Sequence, residues 1–297
     1  MTLRHLKIFA AVCEARNMTK AAVTLFISQS AVSQAIADLE THYGTKLFER
    51  LTKKLYLTES GEKLFSYARH IISMLEEAET SIHSLTDKGL IRIGASVTVG
   101  TAVLPEIVTT FRQTAPAIRI TVVEDNTAVI ESLILNNEID IGLVEGEISS
   151  PDIVVSPFMR DELVLISGQR HPFSKKPVVT SEELKDQDFI IREKGSGTRK
   201  LFETQMAANG IQWSASWVCN NSDTIKKAVI SNIGISVISK RSVQDELRNH
   251  QIFVSNIEGI EFVRYFKIIC HKNKYMSESM LHLIESIHNR DSFSVWN

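Results

Sequence analysis

A long helix with a strict heptad repeat constrains the architecture of the whole chain more than any other feature. Apolar residues recur in it at spacings of 4, 3, 4, 3, 4 and 3: Leu64, Ala68, Ile71, Leu75, Ala78, Ile82 and Leu85. An unbroken stripe of this kind requires a partner helix. Roughly 27 helical residues span about 40 Å, which exceeds one small domain. The helix links the two parts of the chain, so we call these apolar residues the linker stripe. We expect the linker stripe to pair with the same stripe of a second copy of the chain. The alternative is that it packs against the chain's own body.

The chain has two parts of opposite net charge, one before the linker helix and one that begins with it. Residues 1–58 carry eight Lys and Arg against four Asp and Glu, whereas the remaining 239 residues carry 25 against 31. A basic head on an acidic body suggests that only the head contacts a polyanion. The length of 297 residues and the globular composition predict two or more domains.

Several classes of protein are disfavoured by composition. The apolar runs fall well short of the ~20 residues that span a bilayer, and the first residues lack the features of a signal peptide. Cys13, Cys219 and Cys270 are odd in number and match neither a disulfide framework nor a zinc spacing. We expect them to be small buried hydrophobic residues in a reducing cytoplasm, without contact with a membrane.

Residues 3–40 read as three helices, of which the last two are joined by a tight turn. Apolar residues at helical spacing predict the first helix: Leu3, Leu6, Phe9, Ala10 and Cys13. Thr19 is expected to cap the second helix, in which Ala21 and Ala22 allow close packing. Ser28 is expected to cap the third helix, within "ISQSAVSQAIADLE" at residues 27–40. This succession describes a helix-turn-helix.

The third helix carries a cluster of short, uncharged, hydrogen-bonding side chains: Gln29, Ser30, Ser33 and Gln34. In a helix-turn-helix, the second helix of the motif enters the major groove and its first residues contact base edges. Gln can pair with an adenine edge, and Ser can donate to or accept from any base. The cluster therefore predicts sequence-specific contacts with DNA; an ordinary solvated helix surface is the alternative.

A basic hairpin follows in "GTKLFERLTKKLYLTESG". The alternation towards Leu55 and Leu57 predicts two short strands, with Thr58 capping the linker helix. Basic side chains on this wing are suited to phosphate contact: Arg50, Lys53 and Lys54. The head is therefore interpreted as a winged helix-turn-helix.

Residues 1–65 resemble the N-terminal signature of LysR-type transcriptional regulators. The resemblance rests on the alanine pair, "SQSAVSQ.I..LE", "G..LF.R" and "LT..G". It implies a regulator that binds promoter DNA as a homodimer through the linker helix or as a homotetramer, with RNA polymerase as a candidate partner. Lys53 and Lys54 stand where the family often carries arginine.

After residue 89 the pattern changes to strands alternating with helices, which predicts parallel sheet. From periodicity alone we expect two α/β halves. The resemblance implies an α/β multidomain protein whose effector domain has two lobes, as in type 2 periplasmic binding proteins. The expected boundaries are 1–58 for the head, 59–88 for the linker and 89–297 for the effector domain. Lobe one would comprise 89–161 and 266–297, and lobe two 162–265.

Open α/β sheets bind ligands beyond the carboxyl ends of their strands. Small and polar residues occur at five such ends: Ser96, Thr98, Val99, Gly100, Thr127, Glu145, Ser196, Gly197, Thr198 and Ser222. Helix N-termini at three of them suit an anion or carboxylate, although Ser and Thr at helix starts are often only caps. The resemblance implies that these ends converge on one effector cleft, which carries few obvious cations.

No motif indicates a catalytic, metal or cofactor site. The phosphate-loop and dinucleotide glycine patterns are absent, as is a metal-binding histidine or cysteine spacing. We therefore expect a cytoplasmic, non-enzymatic regulator that responds to a small anionic effector. Two alternatives stay open: a solute-binding sensor that does not bind DNA, and an α/β enzyme fused to a DNA-binding head.

Overall fold

The structure is a computed structural model that describes residues 1–51, 54–83 and 89–289. The chain forms two compact units, of which the first contains the N-terminal elements through the linker helix and the second most of the remainder. Within the described ranges, no helix combines the length and apolar character that crossing a bilayer requires.

The N-terminal unit consists of four helices and a two-stranded hairpin. Its elements are α1 (Leu3–Ala15), α2 (Met18–Thr24), α3 (Gln29–Tyr43), β1 (Phe48–Leu51), β2 (Lys54–Leu57) and α4 (Glu59–His83). The predicted winged helix-turn-helix is confirmed. The strands β1 and β2 are antiparallel, and Leu51 pairs with Lys54 at the end of the hairpin.

The three-helix core follows from the apolar periodicity of the sequence. Phe9, Val32 and Leu39 are fully buried in it, and Ala21 and Ala22 pack between the helices as predicted. Small side chains at these two positions allow close contact between helices. The residues therefore set the geometry of the motif through local spacing and volume.

The helix starts confirm two of three predicted caps. Ser28 Oγ accepts a hydrogen bond from Ala31 N at 3.2 Å, and Thr58 Oγ1 accepts one from Gly61 N at 3.0 Å. The prediction for Thr19 was wrong, because Asn17 caps α2 and its Oδ1 accepts from Thr19 N at 2.9 Å. A side chain at the N-cap reaches the free N–H groups two and three residues later.

The close packing around Gly61 explains why a glycine ends the "LTESG" segment. A Cβ atom at this position would lie 2.1 Å from the carbonyl oxygen of Leu47. The start of α4 thus contacts the backbone that enters the wing. Thr58 strengthens this junction, since its Oγ1 also donates to Lys46 O at 2.7 Å.

The linker stripe is divided between two environments. Leu64 and Ala68 belong to the core of the N-terminal unit, where α4 packs against α1. Ile71 is 43% exposed and Ala78 is also exposed. The first part of the stripe therefore packs within its own chain. Leu85 and the side chain of Ile82 lie outside the described residues.

The second unit is an α/β domain with two lobes. Lobe one contains β3 (Leu90–Ser96), α5 (Val97–Ala102), α6 (Leu104–Thr114), β4 (Arg119–Asp125), α7 (Thr127–Leu135), β5 (Ile141–Val144) and α11 (Glu278–His288). Lobe two contains β7 (Val178–Val179), β8 (Asp188–Arg192), α8 (Gly197–Ala208), β9 (Ser214–Cys219), α9 (Ser222–Ile230), β10 (Ser236–Ser239), α10 (Gln244–Arg248) and β11 (Ile252–Ile257). Two long strands, β6 (Ile153–Gly168) and β12 (Phe262–His271), run through both.

The sheet is mixed, so the prediction of parallel sheet was only partly correct. The order β4-β3-β5 is parallel, as is the β8–β9 pair. The strand β12, by contrast, pairs antiparallel with both β5 and β6. Residues from β6 and β12 enter the cores of both lobes: Phe158 and Phe266 in lobe one, Leu163 and Phe262 in lobe two. These two crossing strands therefore connect the lobes.

The cysteines are unpaired and serve as apolar residues. Cys13 and Cys219 are buried as predicted, whereas Cys270 is half-buried. Burial raises the pKa of all three thiols, because a thiolate is poorly solvated in the interior. A thiol with a raised pKa is a weak nucleophile at neutral pH.

Candidate functional site

The first turns of α3 present the polar cluster that the sequence predicts. Gln29, Ser30 and Gln34 are exposed and Ser33 is half-exposed, whereas Val32 and Ile36 are buried on the opposite side. The helix is thus held by its apolar face and shows uncharged hydrogen-bonding groups outward. This is the arrangement that a groove-reading helix needs.

Gln34 has a neighbour that sequence reasoning did not anticipate. Its Nε2 donates to Asp38 Oδ1 at 2.8 Å, one helical turn later. His5 Nε2 lies 3.5 Å from Asp38 Oδ2. These contacts orient the carboxamide of Gln34 along the helix surface, while Gln29 and Ser33 have no comparable side-chain contact among the described residues.

The wing follows α3 in the sequence and belongs to the same N-terminal unit. Arg50 belongs to β1 and pairs in register with Leu55, and Lys54 begins β2. Lys53 lies outside the described residues. The hairpin backbone therefore places two of the three predicted phosphate contacts within a two-stranded wing.

In lobe one, three predicted residues form a small hydrogen-bonded group. The end of β3 supplies Ser96, whose Oγ accepts from Glu145 N at 3.2 Å. Thr98, at the start of α5, donates from Oγ1 to Glu145 Oε1 at 3.2 Å. All three residues are buried. Because β3 and β5 are adjacent parallel strands, their carboxyl ends meet at one edge of the sheet.

The lobes meet through glycine backbone at this edge. A Cβ atom on Gly197 would lie 2.5 Å from Gly146 Cα, and one on Gly146 would lie 2.8 Å from Thr127 Oγ1. Ala128 N also donates across the interface to Gly195 O at 3.3 Å. The residues that follow β4 and β5 in lobe one are therefore in direct contact with the segment that joins β8 to α8 in lobe two.

A buried ion pair lies where the crossing strands join the lobes. Arg264 of β12 and Asp161 of β6 are partners in register, and Arg264 Nε donates to Asp161 Oδ2 at 2.8 Å. Ser239 Oγ donates to Asp161 Oδ1 at 2.7 Å. Arg264 Nη1 donates to Thr198 Oγ1 at 3.0 Å. The guanidinium thus connects the crossing strands to the start of α8.

The electrostatics of this cleft are governed by burial. Burial raises the pKa of the Glu145 carboxyl, while the positive charges of Arg264 and Arg192 and the hydrogen bond from Thr98 act in the opposite direction. Arg192 is itself buried and donates to both carboxylate oxygens of Glu193, at 2.8 and 2.9 Å. The cleft therefore contains two buried guanidinium groups near a buried carboxyl group whose pKa burial raises.

The predicted effector residues fall into two sets. The structure brings most of them together around the contact between the lobes: Ser96, Thr98, Thr127, Glu145, Ser196, Gly197 and Thr198. Ser196 is buried as the N-cap of α8. Val99 is fully buried in the lobe-one core, and Gly100 lies against the Glu124 side chain. Ser222 has no hydrogen bond to this group among the described residues.

The expectation of few cations was wrong, and Arg264, Arg192 and Asp161 were missed. Each lies within or at the end of an apolar strand, where charged residues are rarely buried unless they are paired. The segments "FMRDELVLI" and "FVRYFKII" therefore contained a signal that sequence reasoning could have used. Among the described residues, no three His, Cys, Asp or Glu side chains come together as a metal site.

Family models match both units. A bacterial regulatory helix-turn-helix of the lysR family matches residues 3–62, and a LysR substrate binding domain matches residues 86–292. The chain belongs to the LysR family of transcriptional regulators. An effector-binding domain is therefore part of this regulator, as the sequence analysis predicted.

Individual relatives agree with this assignment. The regulator is 33% identical over 285 residues to the HTH-type transcriptional regulator YeiE of Escherichia coli strain K12, with 96% of each chain covered. Its fold resembles full-length OxyR from Pseudomonas aeruginosa with a TM-score of 0.68, 19% identity and coverage of 97% and 94%. The Synechocystis CcmR regulatory domain, in complex with 2-PG, gives a TM-score of 0.65 at 24% identity, covering 69% of this chain and 99% of that domain.

Proposed function

We propose that this regulator reads promoter DNA through the first turns of α3, contacts phosphates through its wing, and responds to a small anion bound between the lobes. The exposed, uncharged cluster at the start of a capped helix carries the DNA-reading part of this proposal. A charged face would bind phosphates of any sequence, whereas amide and hydroxyl groups can distinguish base edges. The proposed base contacts are Gln29, Ser30, Ser33 and Gln34, and the proposed phosphate contacts are Arg50, Lys53 and Lys54.

Gln34→Ala should relax sequence discrimination, since it removes a carboxamide able to pair with a base edge. We expect a loss of ~1–3 kcal/mol in the difference in binding free energy between cognate and altered sites.

Lys53→Ala should instead weaken binding to every sequence and lower the slope of log K against log salt by about 1. Electrophoretic mobility shifts with cognate and scrambled promoter fragments, at several salt concentrations, measure both effects. Equal loss of discrimination in both variants would contradict this division of roles.

We propose that α4 mediates homodimerisation and that dimers assemble into a homotetramer. The exposed linker-stripe residue Ile71 and its neighbour Met74, which is 48% exposed, support this proposal. Two copies of the head would then contact two half-sites of a promoter. Transcription would be controlled by contact between the assembled regulator and RNA polymerase.

Ile71→Glu should raise the dissociation constant of the dimer at least about tenfold, because it places a charge in a desolvated apolar contact. Analytical ultracentrifugation of the full-length protein measures this constant. Ser73→Glu is the matched control, since it introduces the same charge on the opposite side of the helix. Similar dissociation constants for the two variants would argue against the linker stripe as the dimer contact.

We assign the regulator to the cytoplasm, where promoter DNA is accessible, and propose no catalytic activity. The effector would shift the equilibrium between two arrangements of the lobes by binding one more tightly than the other. An enzymatic role would require conversion of the bound molecule. Recovery of the effector unchanged after prolonged incubation would support a purely regulatory role, and its conversion would overturn it.

A further inference from the structure

The carboxylate of Asp38 has neighbours from two helices. Gln34 Nε2 donates to Asp38 Oδ1 at 2.8 Å within α3. His5 Nε2, from α1, lies 3.5 Å from Asp38 Oδ2. Each carboxylate oxygen therefore has its own nitrogen neighbour. These two contacts hold Asp38 in place, although its side chain is 50% exposed.

The imidazole of His5 is held in turn by the start of α1. Thr2 N donates to His5 Nδ1 at 3.2 Å, and Thr2 Oγ1 lies 2.7 Å from the same nitrogen. Because Nδ1 accepts the backbone hydrogen bond, a neutral ring carries its hydrogen on Nε2, the nitrogen next to Asp38. A line of contacts therefore runs from the N-cap of α1 through Asp38 to Gln34.

Asp38 decides the orientation of the Gln34 carboxamide. An ionised carboxylate can only accept hydrogen bonds. The NH2 end of the carboxamide must therefore lie against Asp38, since the reversed orientation would bring acceptor oxygens together. With one N–H used in this way, Gln34 has its Oε1 and a second N–H left for other partners. The side chain is exposed, so both groups are accessible to DNA.

An acceptor beside a donor is the complement of the adenine edge. In the major groove, adenine offers its N6 amino group as a donor and N7 as an acceptor, and a carboxamide can pair with both. Guanine offers two acceptors, O6 and N7, and O6 would oppose Gln34 Oε1. A carboxamide that is free to turn could direct its NH2 group towards guanine. The contact with Asp38 therefore favours adenine over guanine.

Two features strengthen a contact that is weak on an isolated helix. Gln and Asp four residues apart stabilise isolated helices only slightly. Here the His5 contact keeps Asp38 in place. Entry of α3 into the groove would also remove the water that competes for both groups, and a hydrogen bond is electrostatically stronger where water is excluded. The orientation is therefore set most strongly when DNA is bound.

We propose that Asp38 is the positioning residue that makes Gln34 select adenine at one base pair of each half-site. This inference rests on the proposed reading of DNA by α3, and it names the base that one side chain of that helix reads. Asp38 also adds a negative charge to a surface that approaches a polyanion, which weakens binding to every sequence. Its loss should therefore lower discrimination without lowering the affinity for unrelated DNA.

Selection of bound duplexes from a randomised DNA library, followed by sequencing, tests this proposal with the full-length protein. Gln34→Ala identifies the base pair that Gln34 reads, because the preference is lost there. We expect the unchanged protein to prefer adenine at that pair. Asp38→Asn should reduce the adenine-over-guanine preference at the same pair at least about threefold. Asparagine can donate as well as accept, so it permits both orientations of the carboxamide.

Two further variants serve as controls. The double variant Gln34→Ala/Asp38→Asn should show the same base preferences as Gln34→Ala, because Asp38 acts on this base pair only through Gln34. Glu14→Ala is the matched control for charge, since it removes an exposed carboxylate from α1. Both Asp38→Asn and Glu14→Ala should bind a scrambled duplex at least as tightly as the unchanged protein. Only Asp38→Asn should lose adenine preference.

Three outcomes would overturn the inference. They are an unchanged adenine preference in Asp38→Asn, a preference for another base at the pair that Gln34 reads, and weaker binding of the scrambled duplex by Asp38→Asn, which would show a structural role. In each case the reading of DNA by Gln34 stands. If Gln34→Ala changes no position of the selected sites, the proposed base contact of Gln34 is wrong as well. The two failures are therefore distinguishable.

Discussion

Asp161→Ala should lower the free energy of unfolding by about 3–5 kcal/mol, the largest stability effect that we expect from a single substitution here. The variant leaves the Arg264 guanidinium buried without its carboxylate partner at 2.8 Å. It also removes the acceptor of the hydrogen bond from Ser239. Urea unfolding followed by tryptophan fluorescence measures the loss, because Trp213 packs against the lobe-two core.

Two controls separate loss of this pair from a general effect of charge removal. Glu182→Ala breaks an ion pair with Lys185 on the surface of lobe two, where both side chains are mostly exposed. Exposed ion pairs of this kind contribute little to the free energy of unfolding. The unfolding curve of Glu182→Ala should therefore match that of the unchanged protein. The double variant Asp161→Leu/Arg264→Met should recover much of the lost stability. If Asp161→Ala unfolded like Glu182→Ala, the ion pair would not support the junction of the lobes.

Gly197→Ala should separate the lobes and increase hydrogen exchange at the Ala128 amide at least about tenfold. The added Cβ atom would lie 2.5 Å from Gly146 Cα, a distance that backbone atoms cannot tolerate without movement. Ala128 N donates to Gly195 O across this contact, so its exchange reports opening of the lobes. Hydrogen–deuterium exchange with peptide mass spectrometry measures the change.

Gly210→Ala is the matched control for this substitution. Gly210 has a φ of +64°, and a Cβ atom there would meet nothing within 4 Å. The alanine should therefore cost ~1 kcal/mol of backbone strain without moving the lobes. We expect Gly210→Ala to melt slightly earlier with normal exchange at Ala128. Normal exchange at this amide in Gly197→Ala would show that the lobes do not depend on the glycine contact.

The sequence predicted local structure well where a local physical rule decides it. Helical spacing of apolar residues located α1, α3 and α4, and short polar side chains identified the caps at Ser28 and Thr58. The cap of α2 was misplaced from Asn17 to Thr19, because both residues have side chains able to cap and lie two positions apart. Errors of this size arise when neighbouring residues satisfy the same rule.

The arrangement of the crossing strands could not be predicted in the same way. Alternating strands and helices indicate parallel sheet, but β6 and β12 are antiparallel and join both lobes. Their apolar residues face two different cores, so their pattern does not show which strands they adjoin. Pairing partners far apart in sequence leave no mark on the periodicity of either strand.

The candidate ligand site also contains some residues that the sequence predicted and others that it did not. Ser96, Thr98, Thr127, Glu145 and Thr198 were predicted from their positions at strand and helix ends, while Arg264 and Asp161 were missed. These two residues lie 103 positions apart, and Arg264 and Thr198 lie 66 apart. Only the folded chain brings the guanidinium to the carboxylate and to the start of α8.

The amino-acid sequence by itself determined the helix-turn-helix, the exposed polar cluster of α3, the linker stripe and the α/β character of the body. Each depends on side-chain spacing within one element or on a cap within one turn, and is therefore encoded locally. The tertiary structure decided which part of the linker stripe is buried, how the lobes meet at Gly146 and Gly197, and which charged groups lie in the cleft. Those features depend on burial, which changes the energy of a charged or polar group only after distant segments have packed around it.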